Sequence, residues 1–261
     1  MPESSKKTSN NNVPAISVEN VTVNYGPLVV VDDVSFDIEQ GSIAAVIGPN
    51  GSGKTTLLRA ILGLTPLRSG EITILGKHLH TMRQMIGYVP QRFEFDRDFP
   101  ITVREFMDLA RRLRCPRHIL PARIAEKIKE VGLPKEVLDK HLGELSGGQL
   151  QRVLVAQGII NDPAILFLDE PSSGVDIAGE ATIYSIIEHL NREHNTTVVM
   201  VSHDIGMISH VVDTVICINR KMLCFGPPRT ALTAHRIEEV FGGHSSPYDH
   251  HQHGRGHDKQ S

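Results

Sequence analysis

The run Gly48-Pro49-Asn50-Gly51-Ser52-Gly53-Lys54-Thr55 constrains this chain more than any other feature. It follows an apolar stretch at 42–47, the pattern of a strand covered on both faces, and it opens a helical stretch at 54–64. Strand, glycine-rich loop and helix in that order turn backbone N–H groups and the positive end of a helix toward one point, which suits a phosphate. Lys54 is placed to reach the β and γ phosphates of a nucleotide, Thr55 to set its hydroxyl on Mg²⁺, and Thr56 follows on the same turn.

A Mg²⁺ ion requires a carboxylate. The apolar run 164–168 ends in Asp169-Glu170, two acids at the end of a buried parallel strand, the sheet edge at which ligands bind in open α/β folds. Asp169 is expected to hold the metal through its water shell, and Glu170 to polarise a water for in-line attack on the γ-phosphate.

The rest of the chain is organised around these two loops. Strands are expected at 16–23, 28–31 and 34–38, where apolar and polar residues alternate, and at 71–75 and 86–89. From Arg92 the spacing becomes helical, at 102–113, 121–131, 134–140 and 149–160, with no convincing strand before 164. This segment, about 92–160, reads as a helical insertion. Beyond it strand and helix alternate again: 164–168, 178–194, 197–201, 205–210 and 212–219. Alternating βα units with wholly apolar strands imply a parallel sheet with helices on both faces. The expected division is a polar tail at 1–14, one domain at 15–241 and a flexible histidine-rich tail at 242–261, with six of the 14 histidines in the last 27 residues.

Composition narrows the function classes. Twenty-seven Lys and Arg against 30 Asp and Glu give a net charge of −3, which argues against a nucleic-acid surface. No apolar run approaches the roughly 20 residues of a spanning helix, and residues 1–12 lack the apolar core of a secretory signal. Cys115, Cys217 and Cys224 are too few and too scattered for a disulfide framework, so reduced thiols in the cytosol are expected.

Leu145-Ser146-Gly147-Gly148-Gln149, opening a helix 92 residues beyond Lys54 when counted to Ser146, is where the chain resembles the ATP-binding subunits of ABC transporters. The resemblance covers about residues 15–241 and implies a P-loop NTPase (RecA-like) parallel sheet with an antiparallel β subdomain and an inserted helical subdomain. It implies further roles residue by residue. Tyr25 matches the aromatic ring that stacks on adenine, Gln91 the glutamine that senses Mg²⁺ and the attacking water, Asp176 the aspartate loop at the dimer seam, and His203 the histidine on the γ-phosphate.

Ser146, Gly147, Gly148 and Gln149 form a second glycine-rich helix start, hence a second anion site. The insertion should hold it away from Lys54 of the same chain, so ATP is expected to lie between two copies in a head-to-tail homodimer. A chain without a span needs integral membrane permease subunits, and it would sit peripherally on the cytoplasmic face of the inner membrane. The surroundings of Gln91, Val89-Pro-Gln-Arg and then Asp98-Phe-Pro-Ile-Thr-Val, resemble the branch serving importers of zinc, manganese and related divalent metals. That branch implies an extracytoplasmic metal-binding protein as well, and the histidine tail points the same way. Another ABC importer or exporter, or an iron–sulfur assembly ATPase, remains compatible with the same motifs. Phe93, Phe95 and Phe99 either grip a helix of the permease or pack the insertion.

Overall fold

The computed structural model describes residues 13–91, 93–114, 121–173, 175–203 and 205–241. Arg92, Cys115 and the two tails, including five of the six C-terminal histidines, lie outside them. Two sheets organise the described chain. Strands β1 (Ile16–Tyr25), β2 (Leu28–Ile38), β4 (Ser69–Ile74) and β5 (Lys77–His78) form an antiparallel sheet in the order β2-β1-β4-β5. The second sheet has the order β10-β9-β3-β8-β7-β6, from β3 (Ile43–Ile47), β6 (Ile86–Val89), β7 (Ile165–Asp169), β8 (Thr197–Val201), β9 (Thr214–Asn219) and β10 (Lys221–Gly226). Its pairs are parallel except β9–β10.

Period two explains why the central strands read as unbroken apolar runs. In β7, Ile165 and Phe167 point into a core shared with the antiparallel sheet and α1 (Lys54–Ile61), while Leu166 and Leu168 point into a core shared with the other helices. Val199 and Val201 of β8 divide from Val198 and Met200 in the same way. A strand apolar on both faces can present polar atoms only at its ends.

The insertion contains α3 (Val103–Arg114), α4 (Pro121–Glu130) and α5 (Gly147–Gly158). Residues Lys135–Asp139, expected to be α-helical, form a 3-10 turn instead: Pro134 is extended at its start and Lys140 at its end, which leaves too few residues for an α-helix. Phe93 and Phe95 pack against this core, with Phe93 5.0 Å from the ring of Phe106, whereas Phe99 is exposed. Phe93 and Phe95 therefore take the packing role, and Phe99 does not share it. The remaining helices are α2 (Leu79–Met82), α6 (Ile177–His194), α7 (Ile205–Val211), α8 (Pro228–Ala231) and α9 (Ala234–Phe241). Among the described residues no helix is long and apolar enough to cross a membrane.

The expectation of unpaired thiols is corrected for two cysteines. Cys217 on β9 and Cys224 on β10 occupy facing positions of adjacent antiparallel strands, Cα atoms 4.8 Å apart, and are joined as a disulfide. Counting cysteines could not show this, because β10 was not anticipated beyond the strand ending at Asn219.

A buried ionic seam fixes the insertion to the turn before β7. Lys127, 2% exposed, donates to Glu130 Oε2 at 2.7 Å and lies 2.8 Å from Asp162 Oδ1, and Arg123 also pairs with Asp162. Burial alone would raise the Glu130 carboxyl, but the hydrogen bond and charge of Lys127, with His194, outweigh it and hold the group below the ordinary carboxylate range. A depressed carboxylate stabilises the fold above the pKa of the unfolded chain, and that stabilisation is lost as pH falls through the folded value. Glu130→Gln should therefore cost about 2 kcal/mol at neutral pH. Urea unfolding at a series of pH values should show this deficit shrinking on acidification.

Candidate active site

From the end of β3 the chain turns through Gly48 to Gly53 before α1 begins. A Cβ on Gly48 would run into the carbonyl oxygen of Ile218, and one on Gly53 would come within 2.7 Å of the carbonyl oxygen of Val30, so neighbouring backbones close on the loop. Arg220 N–H donates to the carbonyl of Ser52 at 2.8 Å, so the β9–β10 hairpin buttresses the loop from below. Asn50 and Gly51 form its exposed tip.

Within this loop Lys54 is 5% exposed, and its Nζ donates to the carbonyls of Gly48 and Pro49 at 2.8 and 3.0 Å. Burial lowers its pKa against the opposing pull of Glu170 and Asp169. Ser52 Oγ is buried without a hydrogen-bond partner. A cation folded back on its own loop and an unsatisfied hydroxyl are groups that a phosphate would engage.

Thr55 Oγ1 lies 3.3 Å from Asp169 Oδ1, across the junction of α1 and β7. Asp169 is 2% exposed, and burial pushes its carboxyl up despite the Thr55 hydrogen bond. Two hard oxygen donors this close fit Mg²⁺, which binds through one or two carboxylates and keeps several waters. Glu170 stands at φ 48°, the left-handed region, while its N–H still donates to Val201 O at 3.0 Å. That turn costs about 1–2 kcal/mol for a non-glycine residue and separates the two acids: Asp169 meets Thr55, and Glu170 faces another group. Gln91 Nε2 donates to Glu170 Oε2 at 2.6 Å, and His203 Nδ1 lies 3.7 Å from the same oxygen.

Tyr25 closes the other flank. It is half exposed, and a hydrogen bond to Thr65, aided by Thr56 and Arg59, holds its phenol below the usual range against the opposing effect of burial. A ring presented to solvent beside the loop can stack on a flat base.

The second glycine-rich helix start is also well formed. Ser146 Oγ accepts from Gln149 N–H while Gln149 Oε1 accepts from Ser146 N–H, a reciprocal cap on α5. Asp176 Oδ1 accepts from Gly179 N–H and caps α6. Both helix starts open on one groove of about 420 Å³ lined by Ser146, Gly147, Gly148, Arg152 and Asp176 among others, and no residue of the loop at 48–56 lines it. The structure thus gathers the predicted residues into two groups. Lys54, Thr55, Gln91, Asp169, Glu170 and His203 belong to one, and Ser146, Gly147, Gly148, Gln149 and Asp176 to the other. Sequence reading missed the support given by Ile218 and Arg220, for which only the fold provides a signal.

Residues 31–173 match the sequence profile described as ABC transporter. This chain belongs to the ABC transporter family. Its ATP-binding domain is an ABC ATPase, an enzyme that hydrolyses ATP. The chain is 39% identical over 227 residues to the zinc import ATP-binding protein ZnuC of Cereibacter sphaeroides, covering 87% of this chain and 88% of the relative. It is also 39% identical over 226 residues to a "Probable metal transport system ATP-binding protein" of Thermotoga maritima, covering 87% and 90%. Among solved structures the dimeric bacterial ABC transporter cassette MJ0796 superposes with a TM-score of 0.74 at 27% identity, over 82% of this chain and 99% of that one.

Glycine replacements separate space from backbone preference in this ABC ATPase. Gly51→Ala meets no atom within 4 Å but keeps φ at 78°, so it should cost about 1 kcal/mol of stability. Gly48→Ala must push the loop off Ile218, and equilibrium dialysis with ATP should show affinity reduced far more than in Gly51→Ala.

Proposed function

We propose that this chain is the ATPase engine of a divalent-metal importer of the zinc class. The observation that carries the reading is the convergence of Gln91 and His203 on Glu170 beside the Thr55–Asp169 pair, in a chain whose named relatives serve zinc and metal transport. ATP is the substrate. The backbone N–H groups of Gly51, Ser52 and Gly53 and the Lys54 ammonium engage its phosphates, Thr56 lies on the same helical turn, and Tyr25 stacks on the base. Thr55 and Asp169, together with Gln91, would hold Mg²⁺, which would supply charge neutralisation on the phosphates.

Glu170 accepts a proton from water as the water oxygen bonds to the γ-phosphorus and the bond to the bridging oxygen breaks, giving ADP and inorganic phosphate. Gln91 orients the Glu170 carboxylate, and His203 steadies the γ-phosphate. Ser146 to Gln149 and Asp176 of a second copy complete each site, so ATP closes a head-to-tail homodimer and hydrolysis releases it. The dimer drives integral membrane permease subunits from the cytoplasmic face of the membrane, with exposed Phe99 near the docking surface. An extracytoplasmic protein delivers the metal.

Deleting the gene should slow growth in zinc-depleted medium, with restoration by added zinc; uptake of zinc and manganese identical to the parent strain would overturn the metal assignment. Glu170→Gln should keep ATP affinity while turnover drops about 10²–10⁴-fold, as loss of a general base predicts. Phosphate release and nucleotide binding measured on the same preparation separate the two effects.

A further inference from the structure

A cluster outside the nucleotide site has the composition of a metal centre. Glu130 is the last residue of α4, and His189 and His194 lie near the end of α6. One ligand atom from each lies within 4.8 Å of those of the other two. His194 Nε2 is 2.7 Å from Glu130 Oε1, and the two imidazoles meet edge-on with centroids 6.3 Å apart. The burial is graded: the Glu130 side chain is 10% exposed, His189 is intermediate and His194 is exposed, so the cluster is anchored on one side and open to water on the other. A cavity of about 210 Å³, lined by Lys127, Asp162, His194 and Thr196 among others, adjoins it and leaves room for water.

We infer that Glu130, His189 and His194 form a binding site for a divalent transition ion of the zinc class, tying α4 of the insertion to α6 of the catalytic core. Two imidazoles and one carboxylate suit Zn²⁺, Ni²⁺ or Cu²⁺ and match Mg²⁺ or Ca²⁺ poorly. Bonds of about 2.0–2.1 Å in a tetrahedron set neighbouring donor atoms about 3.3 Å apart. That spacing lies between the 2.7 Å Glu130–His194 contact and the 4.8 Å that bounds the cluster, so an ion requires the contact to open slightly and His189 to draw in. Water fills the fourth position.

Lys127 is the opposing charge. It sits on Glu130 Oε2 but shares its charge with Asp162, which leaves Oε1 for the ion. A plain hydrogen bond to Glu130 accounts for His194, but not for a second imidazole turned to the same place. The site stands on its own ligands and does not depend on which cargo the transporter carries.

The test uses the full chain with His235, His244, His250, His251, His253 and His257 replaced by Gln, so that the C-terminal histidines do not contribute. Co²⁺ titrated into this protein should bind at one equivalent with the visible absorption of a low-coordinate ion, and Zn²⁺ should displace it. Adding His189→Gln and His194→Gln should abolish the absorption, and His194→Gln alone, which can still hydrogen-bond Glu130, should weaken Co²⁺ binding at least tenfold while circular dichroism stays unchanged. Zn²⁺ should raise the Tm of the protein that keeps the pair and leave the double variant unmoved. Absence of one-equivalent Co²⁺ binding, or a spectrum unaltered by either substitution in folded protein, would overturn the site.

Discussion

A sheet buried on both faces confines polar chemistry to its edges, and this constraint organises the molecule. Val198 to Val201, Ile165 to Leu168 and Ile43 to Ile47 leave no exposed face for a catalytic side chain. The loop after β3, the Asp169-Glu170 turn after β7, Gln91 beyond β6 and His203 beyond β8 all emerge where the parallel strands end. Parallel register brings those ends together: Asp169 pairs with Val201, and Val89 with Leu168. The hydrogen bonds among Gln91, Glu170, Thr55 and Asp169 follow from this alignment.

The same architecture makes each chain half of a site on the proposed reading. Ser146 and Asp176 cap helices that open on their own groove, and none of the loop that holds Lys54 lines it. The glycine-rich start of α5 at Ser146, capped by a neutral hydroxyl, is complementary on that reading to a nucleotide carried by another copy. Closure by ATP then links nucleotide occupancy to the relative position of two insertions, and Phe99 lies in the segment that joins insertion to core.

Much of this is legible in the sequence because the signals are local. The glycine loop, the acid pair and the glycine-rich helix start at Ser146 each depend on residues a few positions apart. What escaped depends on pairing across long separations or on burial of unusual residues. The β9–β10 hairpin places Cys217 opposite Cys224 and Arg220 under Ser52, and nothing in the local pattern announces either contact. Lys127 is buried on α4 and pairs with Asp162 from the loop after α5, a contact that no local pattern announces. Glu130 and His194 are 64 residues apart and meet only through the packing of α4 against the core. Phe93, Phe95 and Phe99 look alike in sequence, and the fold separates them by burial alone.

The central claim is that one ATP is handled by Lys54 of one copy and Ser146 of the other. Lys54→Ala and Ser146→Arg, each inactive alone, should complement when co-refolded or co-expressed, because each mixed dimer then contains one site with both residues intact. With random pairing and independent sites, ATP turnover should recover to about a quarter of the wild-type value, the share of intact sites expected for a two-fold dimer. Turnover no higher than that of either variant alone, in a mixture shown to contain mixed dimers, would contradict a shared site.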